Sequence, residues 1–292
     1  MSRLGLFWIS HLIVIAIALI GLWMSVSIWL RGKVNGRADL SAGAKIIALF
    51  KIVLSTIFSV KLWPLLKAFI LDGLLHRRLF KEDKLRWVAH ASMFLTFLFL
   101  GILSIITGFF EEVLKHFLHI EHPLVLFVTN KDTPIMALMN EVGGLIIIFG
   151  GIIAAVRRFI VRPAQLRTAA PDTLLIIALL AIIITGYPIE AMRIIFEDVP
   201  PSLARYSFVG YPLALLIEPL NWPWESVHFW LFFFHVGICS LSLLYLPFSK
   251  FFHVLVSPLV VAINASNTQL LKGLRGMKRT HQTPQPPLPP RY

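Results

Sequence analysis

The chain has 292 residues, 57% hydrophobic and only 14% charged, with a mean hydropathy of +0.79 and one cysteine. A soluble domain carries about 25% charged residues, so this composition excludes the soluble globular class, together with disorder, collagen-like sequence and a secreted disulfide framework. The formal charge of +12 would suggest nucleic acid in a soluble protein; in so apolar a chain it asks which side of a membrane the Lys and Arg occupy.

Spanning the hydrocarbon takes about 20 mostly apolar residues as a helix. The first such run is Leu4–Leu30, too long for a signal-peptide core and preceded only by the weak n-region Met1-Ser-Arg, so it is expected to stay as a span. Ala44–Leu75 is also apolar, but Lys45, Lys51, Lys61 and Lys67 interrupt it. It reads as one or two amphipathic helices in the interface, broken at Pro64, with a tightly folded sixth span as the alternative. Trp87–Phe110 is the second span. Met136–Val156 is the third, with Glu141 near one end and the pairs Gly143, Gly144 and Gly150, Gly151, which let helices approach closely in lipid. Thr173–Phe196 and Val227–Phe248 are the fourth and fifth. Cys239 lies in the last apolar run and reads as a small core residue. The Pro-rich tail from Thr280 reads as disordered or as a polyproline contact strip.

The expected architecture is therefore an all-α integral membrane protein with five transmembrane helices. Its expected parts are the first helix (1–30), a cytoplasmic interfacial segment (31–86), a four-helix membrane domain (87–264) and a basic, Pro-rich cytoplasmic tail (265–292). Alternating spans put residues 31–86, 157–172 and 249–292 on one side, with 22 Lys and Arg against 5 acids. The other side holds 5 basic residues against 10 acids, so the sides carry +17 and −5. The positive-inside rule predicts the N-terminus out and the C-terminus in the cytoplasm. Tyr206, Tyr211, Trp222 and Trp224 fall where an outer aromatic belt would lie.

Ionisable residues within spans are expensive and mark functional candidates. Five histidines lie in or next to the helices: His11, His90, His228, His235 and His253. Each alone reads first as a hydrogen-bonded packing residue; their mutual positions favour a ligand set. His235 and His253 are 18 residues apart, which is five full turns if the fifth helix runs unbroken, although Pro247 bends it. His90, three residues inside Trp87, is expected at about the depth of His253. Two imidazoles at one depth on two helices can clamp a haem iron. Arg86 and Lys250 are placed to pair with haem propionates, or equally to mark topology by snorkelling. No Cys-x-x-Cys-His, P-loop, HExxH, Gly-x-Gly-x-x-Gly or nucleophile elbow occurs.

The stretch from His235 through LPFSKFF to His253 resembles the last helix of the respiratory nitrate reductase gamma subunit, a b-type cytochrome. Arg86-WVA-His90, the Gly-rich run after Glu141, and Thr185-GYPIEAMRI look closer to the membrane cytochromes of heterodisulfide reductase and of sulfite-reductase-linked complexes. The resemblance covers roughly residues 72–264. It implies a haem b subunit of a respiratory oxidoreductase complex in a prokaryotic cytoplasmic membrane. Such a subunit moves electrons between menaquinone or ubiquinone and a cytoplasmic iron–sulfur subunit. It also implies His90 and His253 as ligands of a cytoplasm-proximal haem, and His235 as ligand of a distal one.

The sequence departs from the nitrate reductase pattern where a second histidine is due on the second helix, since Leu100 stands there and 96–110 contain no His. The distal haem is then five-coordinate, absent, or completed by another residue. His11 is the best placed of these, ahead of His228 and of the loop residues His116, His119 and His122. Glu190 and Arg193 read first as an i, i+3 ion pair and second as part of a quinone site, and Glu141 carries the same ambiguity. The competing readings are a proton or ion transporter and a cofactor-free membrane anchor. The substrate of the whole complex and the direction of electron flow are not written in this chain.

Overall fold

A computed structural model describes residues 3–29, 31, 40–60, 62–163, 170–249, 252 and 256–264. The described residues are helical throughout their regular structure, with no strand among them. Five helices are long and apolar enough to cross a membrane: Trp8–Ile28, Lys84–Phe117, Pro123–Val161, Thr173–Phe196 and Trp224–Phe248. The all-helical, five-span architecture expected from the apolar runs is the one observed.

The chain divides into two compact units, residues 1–25 with 79–252 and residues 26–78 with 253–292. The first unit contains most of α1 (Arg3–Trp29), then α4 (Arg77–Glu82) in part and α5 (Lys84–Gly108), which continues as a π-helix over Phe109–Phe117. It goes on through α6 (Pro123–Thr129) and α7 (Pro134–Ala155), extended by a π-helix over Val156–Val161. The long α8 (Ala170–Phe196) is followed by the short α9 (Pro201–Ala204) and α10 (Gly210–Ile217), and then by α11 (Trp224–Tyr245). The short helices α6, α9 and α10 lie in stretches that read from sequence as loops. Packing holds α9 and α10: Ala191 and Ile194 of α8 form a buried cluster with Val199, Ala204 and Ala214.

Asp83 starts α5. Its carboxylate accepts the Arg86 backbone N–H at 2.9 Å and a two-pronged pair from Arg157 at the far end of the third span, at 2.8 and 3.3 Å. That hydrogen-bonded guanidinium pulls the Asp83 carboxyl down to about 2. Along α7 the glycines form two faces. A methyl group on Gly143 or Gly150 would strike Leu100 or Ser92 and the Ala89 carbonyl of α5; on Gly144 or Gly151 it would strike Tyr187 or Leu180 of α8. The spacing of seven residues keeps each pair on one side of the helix, so α7 packs between α5 and α8. α8 packs in turn against α10 and α11.

Helix α11 does not run unbroken to residue 253. It ends at Tyr245 in a 3₁₀ turn, Leu246–Phe248, and Ser249 is extended. Pro247 supplies no N–H and cannot continue the α-helical ladder, so the five-turn alignment of His235 with His253 loses its geometric basis. Pro247 is instead held from α1: Ser25 Oγ donates to its carbonyl at 2.8 Å, and Gly21 leaves the space that Phe248 fills.

In the second unit, α2 (Ala42–Ile57) is capped by Ser41 and meets the segment Leu62–Leu74 at 97°. That segment is α3 (Leu62–Ala68) with a π-helical continuation over Phe69–Leu74. The break lies before residue 62, so Pro64 stands in the first turn of α3, where a missing N–H costs nothing, and is not the breaking point expected from sequence. Ala68 packs against Ala262 of the helical stretch 256–264, and the Gly73 backbone passes close to the Pro258 carbonyl. Buried Asp72 is paired with Arg77 at 3.1 Å.

Candidate functional site

The structure builds the site from α8 and α11. Thr185 on α8 lies 2.8 Å from Nδ1 of His235 on α11. The same hydroxyl oxygen lies 2.7 Å from the Ala181 carbonyl and 3.1 Å from that of Ile182. Two oxygens at 2.7 Å need a hydrogen between them, and the only one available is the Thr185 hydroxyl hydrogen. Thr185 therefore donates to its own helix and accepts from Nδ1–H of His235. That leaves the lone pair on Nε2, the form in which a histidine binds a metal while its second nitrogen is held by an acceptor. The next residue, Gly186, adds no side chain beside the ring: a methyl there would stand 3.9 Å from Cε1 of His235.

The pairing of antiparallel helices fixes relative depth. His90 lies near Gly150 through Ala89 and Ser92, Gly151 near Leu180, and Thr185 opposite His235. Transferred across the bundle, His90 is level with Ser240, five residues and about 7 Å along α11 from His235. Between α5, α8 and α11 lies a narrow apolar cavity whose lining includes Phe97, Leu179, Ile182, Ser242 and Tyr245. The His90 ring itself stacks on Phe94, one turn along. Lys250 and His253 lie outside the described residues, and Arg86 is exposed at the start of α5.

His11 and His228 are the other in-membrane candidates for the distal position. The contacts of Gly21 and Ser25 with Pro247 and Phe248 join the C-terminal ends of α1 and α11. Measured from that junction, His11 is about 15 Å back along α1 and His235 about 20 Å back along α11. His228 is a further seven residues away, with its ring edge-on to Phe196 at 4.9 Å and stacked on Phe232.

At the same end as His228 the charged residues form one network. Arg193, only 6% exposed, binds Glu190 at 2.9 and 3.1 Å, Glu197 at 2.7 Å and Asp132 at 2.6 Å. Ser207 donates to Glu190 at 3.0 Å. The expected Glu190–Arg193 pair is thus present, within a larger set. The i, i+4 member Glu197 is readable from spacing; Asp132, 61 residues away, carries no sequence signal. Glu141, 3% exposed, accepts the backbone N–H groups of Val209 and Gly210 at 2.7 and 3.2 Å, and Tyr187 donates to the Glu141 carbonyl at 2.8 Å. Glu141 therefore ties the α9–α10 connection to α7, a role its position in an apolar run does not reveal. His116, in the π-helical stretch, lies 3.7 Å from Glu111 and 3.5 Å from Glu112, and His122 accepts the Leu124 N–H.

Among the described residues no three His, Cys, Asp or Glu side chains converge as a metal cage. A metal at His235 would need most of its ligands from a carrier such as a porphyrin, and the donor chemistry fits one: a neutral imidazole with Nε2 available in an apolar bundle.

The chain is similar to curated HdrE proteins of dihydromethanophenazine:CoB–CoM heterodisulfide reductase. That of Methanosarcina thermophila is 29% identical over 205 residues, covering 69% of this chain and 67% of the relative. That of Methanosarcina acetivorans is 28% identical over 203 residues, covering 69% and 67%, and that of Methanosarcina mazei 26% over 202 residues, covering 69% and 68%. No solved structure matches the chain. The HdrE family model matches residues 66–261, the stretch that holds Asp83, His90, Glu141, Thr185, Arg193 and His235, and the chain belongs to the HdrE family of dihydromethanophenazine:CoB–CoM heterodisulfide reductase subunits.

Proposed function

We propose that the chain is the haem b membrane subunit of a respiratory oxidoreductase complex. In this reading it transfers electrons between a reduced carrier dissolved in the membrane and a cytoplasmic iron–sulfur partner. The observation that carries the proposal is the Thr185–His235 pair, which presents a neutral imidazole Nε2 inside an apolar bundle. Bound haem supplies one-electron exchange at its iron. His235 would hold the group, with His11 as the candidate second ligand. His90, with Arg86 beside it for a propionate, serves the second group; its partners by the nitrate reductase gamma-like resemblance are His253 and Lys250.

The carrier is of the quinol or dihydrophenazine class. Menaquinone and ubiquinone belong to the first, and the name of the relatives contains the second. The apolar faces of α8 and α11 exclude water from the ligand, while the network around Arg193 lies at the His228 end. The soluble partner docks where Lys and Arg concentrate, in residues 31–86 and 249–292, which the charge count assigns to the cytoplasm. The test is anaerobic mixing of the purified oxidised chain with menaquinol or with a dihydrophenazine. Reduction of the haem spectrum by at least one of them, and its loss in the His235→Ala variant, supports the reading. No reduction by either carrier at any ratio would overturn it.

A further inference from the structure

We propose that Thr185 is a positioning residue that fixes the tautomer of His235 and thereby sets the electron affinity of the group His235 holds. The proposal deepens the haem reading above and rests on it for its redox half; its tautomer half stands on the protein alone.

The geometry leaves little freedom. The hydroxyl hydrogen of Thr185 is committed to Ala181 at 2.7 Å, with Ile182 at 3.1 Å as its second acceptor. Nδ1 of His235, 2.8 Å from the same oxygen, has to bring its own hydrogen. Were Nδ1 bare, one of two lone-pair contacts below 3 Å would lack a proton, an arrangement that buried polar groups avoid. The imidazole is therefore an Nδ1–H donor, and its basic nitrogen is Nε2. Local sequence holds the acceptor in place: Thr185 is back-bonded to the preceding turn of α8, Gly186 keeps the ring approach clear, and Pro188 follows within a turn.

An acceptor on the far nitrogen makes a ligating imidazole more electron-donating. Electron donation stabilises the ferric over the ferrous state, so Thr185 lowers the midpoint potential of iron bound at Nε2. A hydroxyl is a weaker acceptor than a carboxylate, which makes this a tuning device of intermediate strength.

The experiment compares the full-length chain with Thr185→Val, which keeps the side-chain shape, and Thr185→Ser, which keeps the hydroxyl. Two readouts are taken. Redox titration of the haem band should give a higher midpoint potential in Thr185→Val, or loss of the His235-linked haem, and a value near wild type in Thr185→Ser. Nitrogen-15 spectra of histidine-labelled protein, with the His235 signal identified by its absence in His235→Gln, should show Nδ1 protonated in wild type and in Thr185→Ser. An unchanged potential in Thr185→Val, or a wild-type His235 protonated at Nε2 in the haem-free chain, would overturn the proposal. Absence of any haem band would sink the functional reading instead, while the tautomer measurement would still decide the role of Thr185.

Discussion

Two carboxylates, Asp83 and Glu141, close the two ends of the α5–α7 pair by different means. Glu141 is satisfied by backbone N–H groups inside the protein, whereas Asp83 is satisfied by its own helix start and by Arg157 in a half-exposed setting. The Asp83 carboxyl is pulled from an ordinary 3.8 to about 2, chiefly by the Arg157 hydrogen bond, so the folded chain binds that proton more weakly than the unfolded chain. Its contribution is complete above the ordinary value and is lost as pH falls through about 2. Thermal unfolding followed from about pH 5 down to about pH 2 should therefore show a steeper loss of stability in wild type than in Asp83→Asn, which lacks the titrating group. Equal slopes would refute the assignment. At this scale the sequence discloses which residues carry chemistry but not what they touch: Thr185 stands in a recognisable TGYP run, yet its partner lies 50 positions away. The Glu190–Arg193 pair is legible because helical periodicity alone brings i and i+3 together.

Helices are legible in proportion to how far their signal is averaged. A span announces itself over about 20 residues, and all five predicted runs overlap the observed spans. The short α6, α9 and α10 exist because of contacts to α5 and α8 that no local pattern states, and the stop of α11 at Tyr245 depends on a single proline that does more than bend the helix. The glycines of α7 are the element-scale feature with the most direct consequence. Gly150→Ala would put a methyl 2.8 Å from Ser92 Cβ and 3.0 Å from the Ala89 backbone carbonyl, one residue from His90. Backbone cannot yield as a side chain tip does, so the substitution should cost about 1–3 kcal/mol as overpacking and shift the surroundings of His90. Gly101→Ala on α5 meets nothing within 4 Å and should be neutral or stabilising by up to about 1 kcal/mol through helix propensity. Unfolding of both variants in one detergent checks the contrast, and equal stabilities would show that the α5–α7 approach is not close.

The whole molecule is a multi-span membrane protein and, by family, belongs with a subunit of a reductase complex. Its +12 charge, which the expected topology divides into +17 and −5, underlies both the predicted orientation and the proposed docking surface. Composition makes the membrane legible; the resemblance, more than any spacing, points to haem. The depth expected for His253 rests on an unbroken α11, which the turn at Leu246–Phe248 removes, so the proposed ligation rests on His235 and its contact with Thr185. The central claim is that this chain carries b-type haem on His235 Nε2. The most direct measurement is a reduced-minus-oxidised absorption spectrum of the purified full-length chain beside its His235→Ala variant. The account predicts a reducible b-type band that diminishes or disappears in the variant. A chain without the band, or a band of undiminished intensity in His235→Ala, would contradict it.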